Sequence, residues 1–123
     1  MPEKQKFIWL FFSISGRVSR AAYFLGGMLT AVVQAFPLYR FTLAPEGSPE
    51  STIWSLLFLA AFMVSLWSSV TLAVKRLHDL DKPGIIAIVL FVPVVSIVAF
   101  LVLCLFPGTP GPNRYGQRTN APA

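Results

Sequence analysis

The sequence predicts an all-α membrane protein, a small multi-pass helical bundle, and three observations carry that expectation. The chain is 55% hydrophobic and 12% charged, with eleven phenylalanines among its 123 residues. Soluble domains carry roughly 25% charged residues, and at this composition a chain this short has too little polar surface to dissolve as one domain. Three uncharged runs, about 21–39, 53–74 and 85–106, have the length a helix needs to cross roughly 30 Å of hydrocarbon. Charge is gathered between them, most densely in VKRLHDLDKPG at residues 74–84, which also holds the only histidine.

The N-terminal stretch MPEKQKFIWLFF sets basic residues before an apolar run, as a signal peptide does. Phe7–Phe12 is short and aromatic, however, and SISGRVSR after it offers no small-residue cleavage site. It reads as an uncleaved short helix lying in the membrane interface, with Trp9 and the phenylalanines at headgroup level. The first apolar segment follows, entered through Ser19, whose hydroxyl suits the cap of a helix opening at Arg20.

Between the first two segments lies RFTLAPEGSPES, a surface loop by its Pro, Gly and Ser content. The third segment contains Pro93, which removes a backbone N–H and clashes with the carbonyl four residues earlier. It is therefore expected to be kinked or broken there. Whether it crosses fully or turns back at VPVVS is open, and so is the side on which the tail lies. In PGTPGPNRYGQRTNAPA the prolines and glycines forbid a helix. The expected organisation is one membrane-embedded domain over 1–116 with a flexible C-terminal tail over 117–123.

Small residues recur along the first two segments. Gly27, Ala31 and Ala35 form one row, with Ala22, Gly26 and Thr30 beside it, and Ala61, Ser65, Ser69 and Ala73 form another. Such rows let backbones approach where lipid removes the hydrophobic drive between helices. The short linker favours a hairpin within one chain over a dimer.

Net charge is +5, which in a membrane protein reports orientation and contact with anionic headgroups. With the N-terminus inside, Lys4, Lys6, Arg17, Arg20, Lys75, Arg76 and Lys82 are cytoplasmic and Arg40 stands outside. The expected location is the inner (plasma) membrane, with a cytoplasmic N-terminus. One cysteine, Cys104, excludes an intramolecular disulfide and a thiolate metal site.

Three polar motifs carry the candidate site. In SGRVSRAAYF, Arg17 and Arg20 stand three residues apart at the inner surface. As cations at a helix N-terminus they oppose its dipole, so a carboxylate, a phosphate or the anionic leaflet should offset them. In KRLHDLDKPG, Lys75, Arg76 and His78 fall in the last turn of the second helix or just past it, where cations suit the exposed carbonyls, and Lys75 or Arg76 can pair with Asp79. Asp79 is placed to pair with Arg76, Arg17 or Arg20 and so to organise the inner surface, leaving the other guanidinium groups to face a headgroup or a partner. A lone His-Asp pair is weak ground for catalysis, and neither further histidines nor a second acid cluster is present to hold a metal. In FPGTPGPNRYG, Asn113, Arg114 and Tyr115 are the ordered-looking part.

In this order, and separated by apolar spans, the three motifs resemble the bacterial inner-membrane family of unknown function called DUF805 (YhaH-like), from about Phe12 to Gly116. That family reads G-R-x-S-R-x-E-F/Y-W, then R-R-L-H-D-x-G-x-S-G-W-W, then G-x-N-R-Y/F-G. Gly16, Arg17, Ser19, Arg20, Arg76, Leu77, His78, Asp79, Gly84, Asn113, Arg114, Tyr115 and Gly116 match. The glutamate is replaced by Ala22, the tryptophans by Phe24, Ile85 and Ile86, and the Gly and Ser of the turn by Asp81 and Pro83. The resemblance implies a small multi-pass membrane protein and no activity.

The expected function is a non-enzymatic membrane module. Its cytoplasmic cap of Arg17, Arg20, Arg76, His78, Asp79, Asn113 and Arg114 would bind anionic lipid headgroups, a partner protein or a second copy. No metal, cofactor or nucleic acid is expected. The alternative is an enzyme acting on a lipid phosphate, with an arginine clamp and His78–Asp79 as acid and base.

Overall fold

The structure, a computed structural model, describes residues 2–123. Its elements run α1 (Glu3–Phe12), α2 (Arg20–Leu43), α3 (Pro49–Asp79), a 3-10 segment (Gly84–Phe91) and α4 (Pro93–Leu105), with no strand among the described residues.

Helix ends are set by local chemistry. Ser19 caps α2, its hydroxyl accepting the Ala22 N–H at 3.1 Å. Ser48 caps α3 in the same way through Ser51, also at 3.1 Å, and Pro49 occupies the first turn, where its missing N–H has no partner to lose. Both helices outrun the uncharged segments, because capping residues and not charge decide where they end. The expected loop shrinks to 44–48. At about 1.5 Å per residue the two helices span about 36 Å and 46 Å. They are the two helices long and apolar enough to cross a membrane, and Pro93–Leu105 is a shorter apolar one.

Helices α2 and α3 form an antiparallel hairpin. Gly26 is buried against Leu72, and a Cβ added at Gly26 would lie 3.0 Å from the Leu72 side chain. Ser65, Ser68 and Ala73 are buried on the α3 side. The contact therefore uses Gly26 and not the row Gly27–Ala31–Ala35, whose alanines are exposed. Ser69, expected in the contact, is exposed as well. At the far end Phe36 meets Trp54 edge-on at 5.6 Å. The outer faces expose Leu25, Val32, Leu56 and Met63, an apolar belt far larger than a soluble monomer tolerates.

The third segment is two pieces. Val92 is extended (φ −95°, ψ 115°), as a residue before proline must be, and Pro93 opens α4 at its first position. Before the break the chain winds as an eight-residue 3-10 helix, long for that form. Its start packs at the end of α3, since a Cβ on Gly84 would lie 2.7 Å from Val74 and 3.3 Å from His78. The end of α4 returns to the same place, where the Leu105 carbonyl accepts from Arg20 at 2.9 Å. The 3-10 segment and α4 thus make a hairpin about 16–20 Å deep. The sequence left a full crossing or a return open; the two pieces of the third segment start and finish at the same end of the bundle.

Helix α1 lies along the last turns of α3, with Trp9 and Phe11 buried. Residues 117–123, expected as a flexible tail, run back over the start of α2. There the Asn120 N–H donates to the Arg17 carbonyl at 2.8 Å, and Ala121 is buried.

Candidate functional site: a buried arginine–aspartate cluster

The start of α2, the end of α3, the end of α4 and the C-terminal residues converge at one end of the bundle. Asp79 is at the centre and is 3% exposed. Its Oδ1 accepts from Arg17 Nε at 2.9 Å and its Oδ2 from Arg76 Nη1 at 2.7 Å. One carboxylate thus compensates two guanidinium groups, Arg17 at 1% exposure and Arg76 at 0%.

Every other guanidinium nitrogen of both arginines also finds an acceptor inside the protein. Arg17 Nη1 reaches the carbonyls of Gly111 (2.7 Å) and Gly116 (3.2 Å), and Nη2 that of Thr109 (2.7 Å). These bonds wrap residues 109–116 around the side chain. Arg76 donates to Leu103 (2.7 Å), Val18 (3.3 Å) and Phe106 carbonyls. Two of these terminate α4, whose last carbonyls have no partner of their own, so Arg76 and Arg20 together cap it at its negative end.

Two glycines make this approach sterically open. A Cβ on Gly108 would fall 1.9 Å from Asp79 Oδ2, and next to it the Thr109 N–H donates to the Asp79 carbonyl at 2.7 Å. Gly16 has φ +96°, and a Cβ there would lie 2.3 Å from the Ala121 carbonyl oxygen.

The other expected residues lie around this core. His78 stacks on Tyr115 with ring centroids 4.1 Å apart and planes 1° from parallel. Its Nδ1 is 3.0 Å from the Gly16 carbonyl; a carbonyl only accepts, so that nitrogen carries a proton. Asn113 donates to the His78 carbonyl at 2.9 Å and accepts from the Tyr115 N–H at 2.8 Å, closing the turn. Arg114 is exposed and pairs with Asp81 at 3.2 Å.

The alternative reading of the sequence used Arg17, Arg20 and Arg76 as a phosphate clamp and His78–Asp79 as acid and base. In this geometry both Asp79 oxygens are taken by arginines, and His78 faces Gly16 and Tyr115. Arg17 and Arg76 are enclosed, each guanidinium nitrogen holding at least one acceptor.

Sequence reasoning let Lys75 pair with Asp79; instead it is fully buried against α1. Its Nζ donates to the Trp9 carbonyl at 2.5 Å and to that of Leu10, and lies 4.5 Å from the Trp9 ring centre. It caps the C-terminus of α1 and ties that helix to α3. No signal in the sequence separates Lys75 from its neighbour Arg76; only the docked α1 does. Nine of the ten Lys and Arg residues stand at this end, with Arg40 at the other.

Against known proteins, the model of a protein family of unknown function, DUF805, matches residues 11–117. The chain belongs to the DUF805 family. It is 35% identical over 104 residues to the inner membrane protein YhaI of Escherichia coli strain K12, covering 84% of this chain and 82% of that protein. The YhaI of Escherichia coli O157:H7 matches to the same extent. No solved structure matches. With its two membrane-length helices, this DUF805 member is an inner-membrane protein. Its departure from the family turn also has a physical reading. Asp81, where the family has glycine, holds φ +59°, a left-handed conformation that aspartate tolerates better than most residues. Its carboxylate then engages Arg114.

Proposed function

We propose that this DUF805 member is a non-enzymatic inner-membrane module that holds an anionic phospholipid at its cytoplasmic end. The N-terminus is cytoplasmic in this reading, because the end holding nine of the ten basic residues faces inward by the positive-inside rule. The headgroup site is not the arginine cluster, whose charges serve the fold.

One observation carries the reading: a groove of about 540 Å³ between α1, the start of α2 and the C-terminal residues. Lys4 and Lys6 stand among its lining residues with Glu3 and Asn120, while Phe7, Trp9, Leu10 and Ala22 supply apolar surface. Among the described residues neither lysine is in a salt bridge. Cations beside aromatic and aliphatic surface match a phosphate headgroup and the first carbons of its chains.

Native mass spectrometry of protein released from vesicles of mixed phosphatidylglycerol and phosphatidylcholine tests it. Wild type should retain phosphatidylglycerol preferentially, and Lys4→Glu/Lys6→Glu should lose the preference. Unchanged retention in the double variant would refute the groove.

A further inference from the structure

A second cavity, of about 250 Å³, lies below the arginine cluster between α2, α3 and the 3-10/α4 hairpin. Tyr23, Gly27 and Thr30 form one wall, Ser69 and Leu72 another, and Leu90, Ser96 and Phe100 the third. Tyr23 and Thr30 sit about 5 and 15 Å along α2 from Arg20, within the hydrocarbon layer if α2 crosses it. No ionisable acid, lysine, arginine or histidine lines the space, yet four of its residues carry hydroxyls.

Those hydroxyls are not equivalent. Thr30 donates to the Gly27 carbonyl at 2.8 Å and Ser96 to the Pro93 carbonyl at 2.7 Å, so both present only acceptor capacity to a guest. Tyr23 is 4% exposed and lines the cavity, and its hydroxyl makes no hydrogen bond among the described residues. Ser69 is likewise unpartnered and lies on an exposed stretch of α3, giving a route in from the lipid. Gly27 keeps the space narrow, since Phe100 lies 3.1 Å from where its Cβ would be.

A guest that fits must accept from Tyr23 or Ser69 and donate to Thr30 or Ser96. It must also be neutral, because no counter-charge is present. A free alcohol has both capacities. We propose that this cavity binds the hydroxyl of a neutral, alcohol-headed lipid of the diacylglycerol class, with its chains leaving past Ser69 into the bilayer. The site is separate from the Lys4/Lys6 groove and does not depend on it.

The test uses the full chain in detergent, mixed with dioctanoylglycerol or with its acetyl ester, which lacks the free hydroxyl, and read by native mass spectrometry. Wild type should retain the alcohol about tenfold better than the ester, the order of one good hydrogen bond. Tyr23→Phe should abolish that preference without lowering the melting temperature, and Ser69→Ala, at an exposed position, should weaken it. Lys4→Glu/Lys6→Glu should leave it intact. Equal retention of alcohol and ester, a preference that survives Tyr23→Phe, or retention of neither, as for a cavity filled by water, overturns the proposal.

Discussion

Replacing Asp79 by alanine removes the one carboxylate that compensates Arg17 and Arg76. Both ion pairs are short, at 2.9 and 2.7 Å, and the side chains are at most 4% exposed, so water screens them little. Removing one partner of a buried pair costs roughly 3–5 kcal/mol, because the other charge remains buried. Here two charges are stranded, but each guanidinium keeps bonds to backbone carbonyls. Those bonds place the expected loss near the lower end of the range, about 3 kcal/mol. Reversible unfolding in mixed micelles, followed by far-UV circular dichroism, measures it. A double-mutant cycle of Asp79→Ala with Arg17→Met should return a coupling of at least about 1 kcal/mol. If Asp79→Ala unfolds within about 1 kcal/mol of wild type, the carboxylate does not organise this end of the bundle and the reasoning fails.

Other perturbations probe other joints. Gly108→Ala places a Cβ 1.9 Å from Asp79 Oδ2 and should destabilise by an amount similar to Asp79→Ala in the same unfolding assay. Lys75→Met strands the Leu10 carbonyl and leaves that of Trp9 only its bond from the Ser13 N–H, at a cost of about 1–3 kcal/mol; hydrogen exchange should quicken in α1 while the far half of α3 stays protected. Pro93 already opens α4, so Pro93→Ala should shift stability by less than about 1 kcal/mol, where a proline inside a continuous helix would give a clear gain on removal. With Cys104 replaced, a cysteine at Gln117 should resist impermeant reagent in intact cells while one at Glu46 reacts; labelling at Gln117 would rule out the returning hairpin in the native membrane.

Class and placement of the main elements were legible in the sequence because they depend on local, summed properties. Two apolar runs became membrane-length helices because apolar length is enough to specify a helix where backbone groups must pair internally. Ser19 and Pro93 act through their own few neighbours, so the start of α2 and the break in the third segment could be read directly. The pairing of Asp79 with arginine could be anticipated from spacing, since Arg76 lies one helical turn before it. The far ends of α2 and α3 could not, because absence of charge marks the apolar core of a helix and not its capped ends.

What tertiary structure alone decided was which charges remain available. A basic residue near a membrane surface looks the same in sequence whether it faces lipid or carbonyls. Arg17 is enclosed by a carboxylate from α3 and by carbonyls of residues 109, 111 and 116, more than ninety positions away in the chain. Lys75 is enclosed by an N-terminal helix whose docking no periodicity announces. The return of the third segment is of the same kind. Pro93 permits a break, but Arg20 and Arg76, meeting the last carbonyls of α4, tie its end beside the start of α2. Helix formation is a sum over neighbours and can be read along a line, whereas desolvation of a charge depends on every chain segment that closes over it.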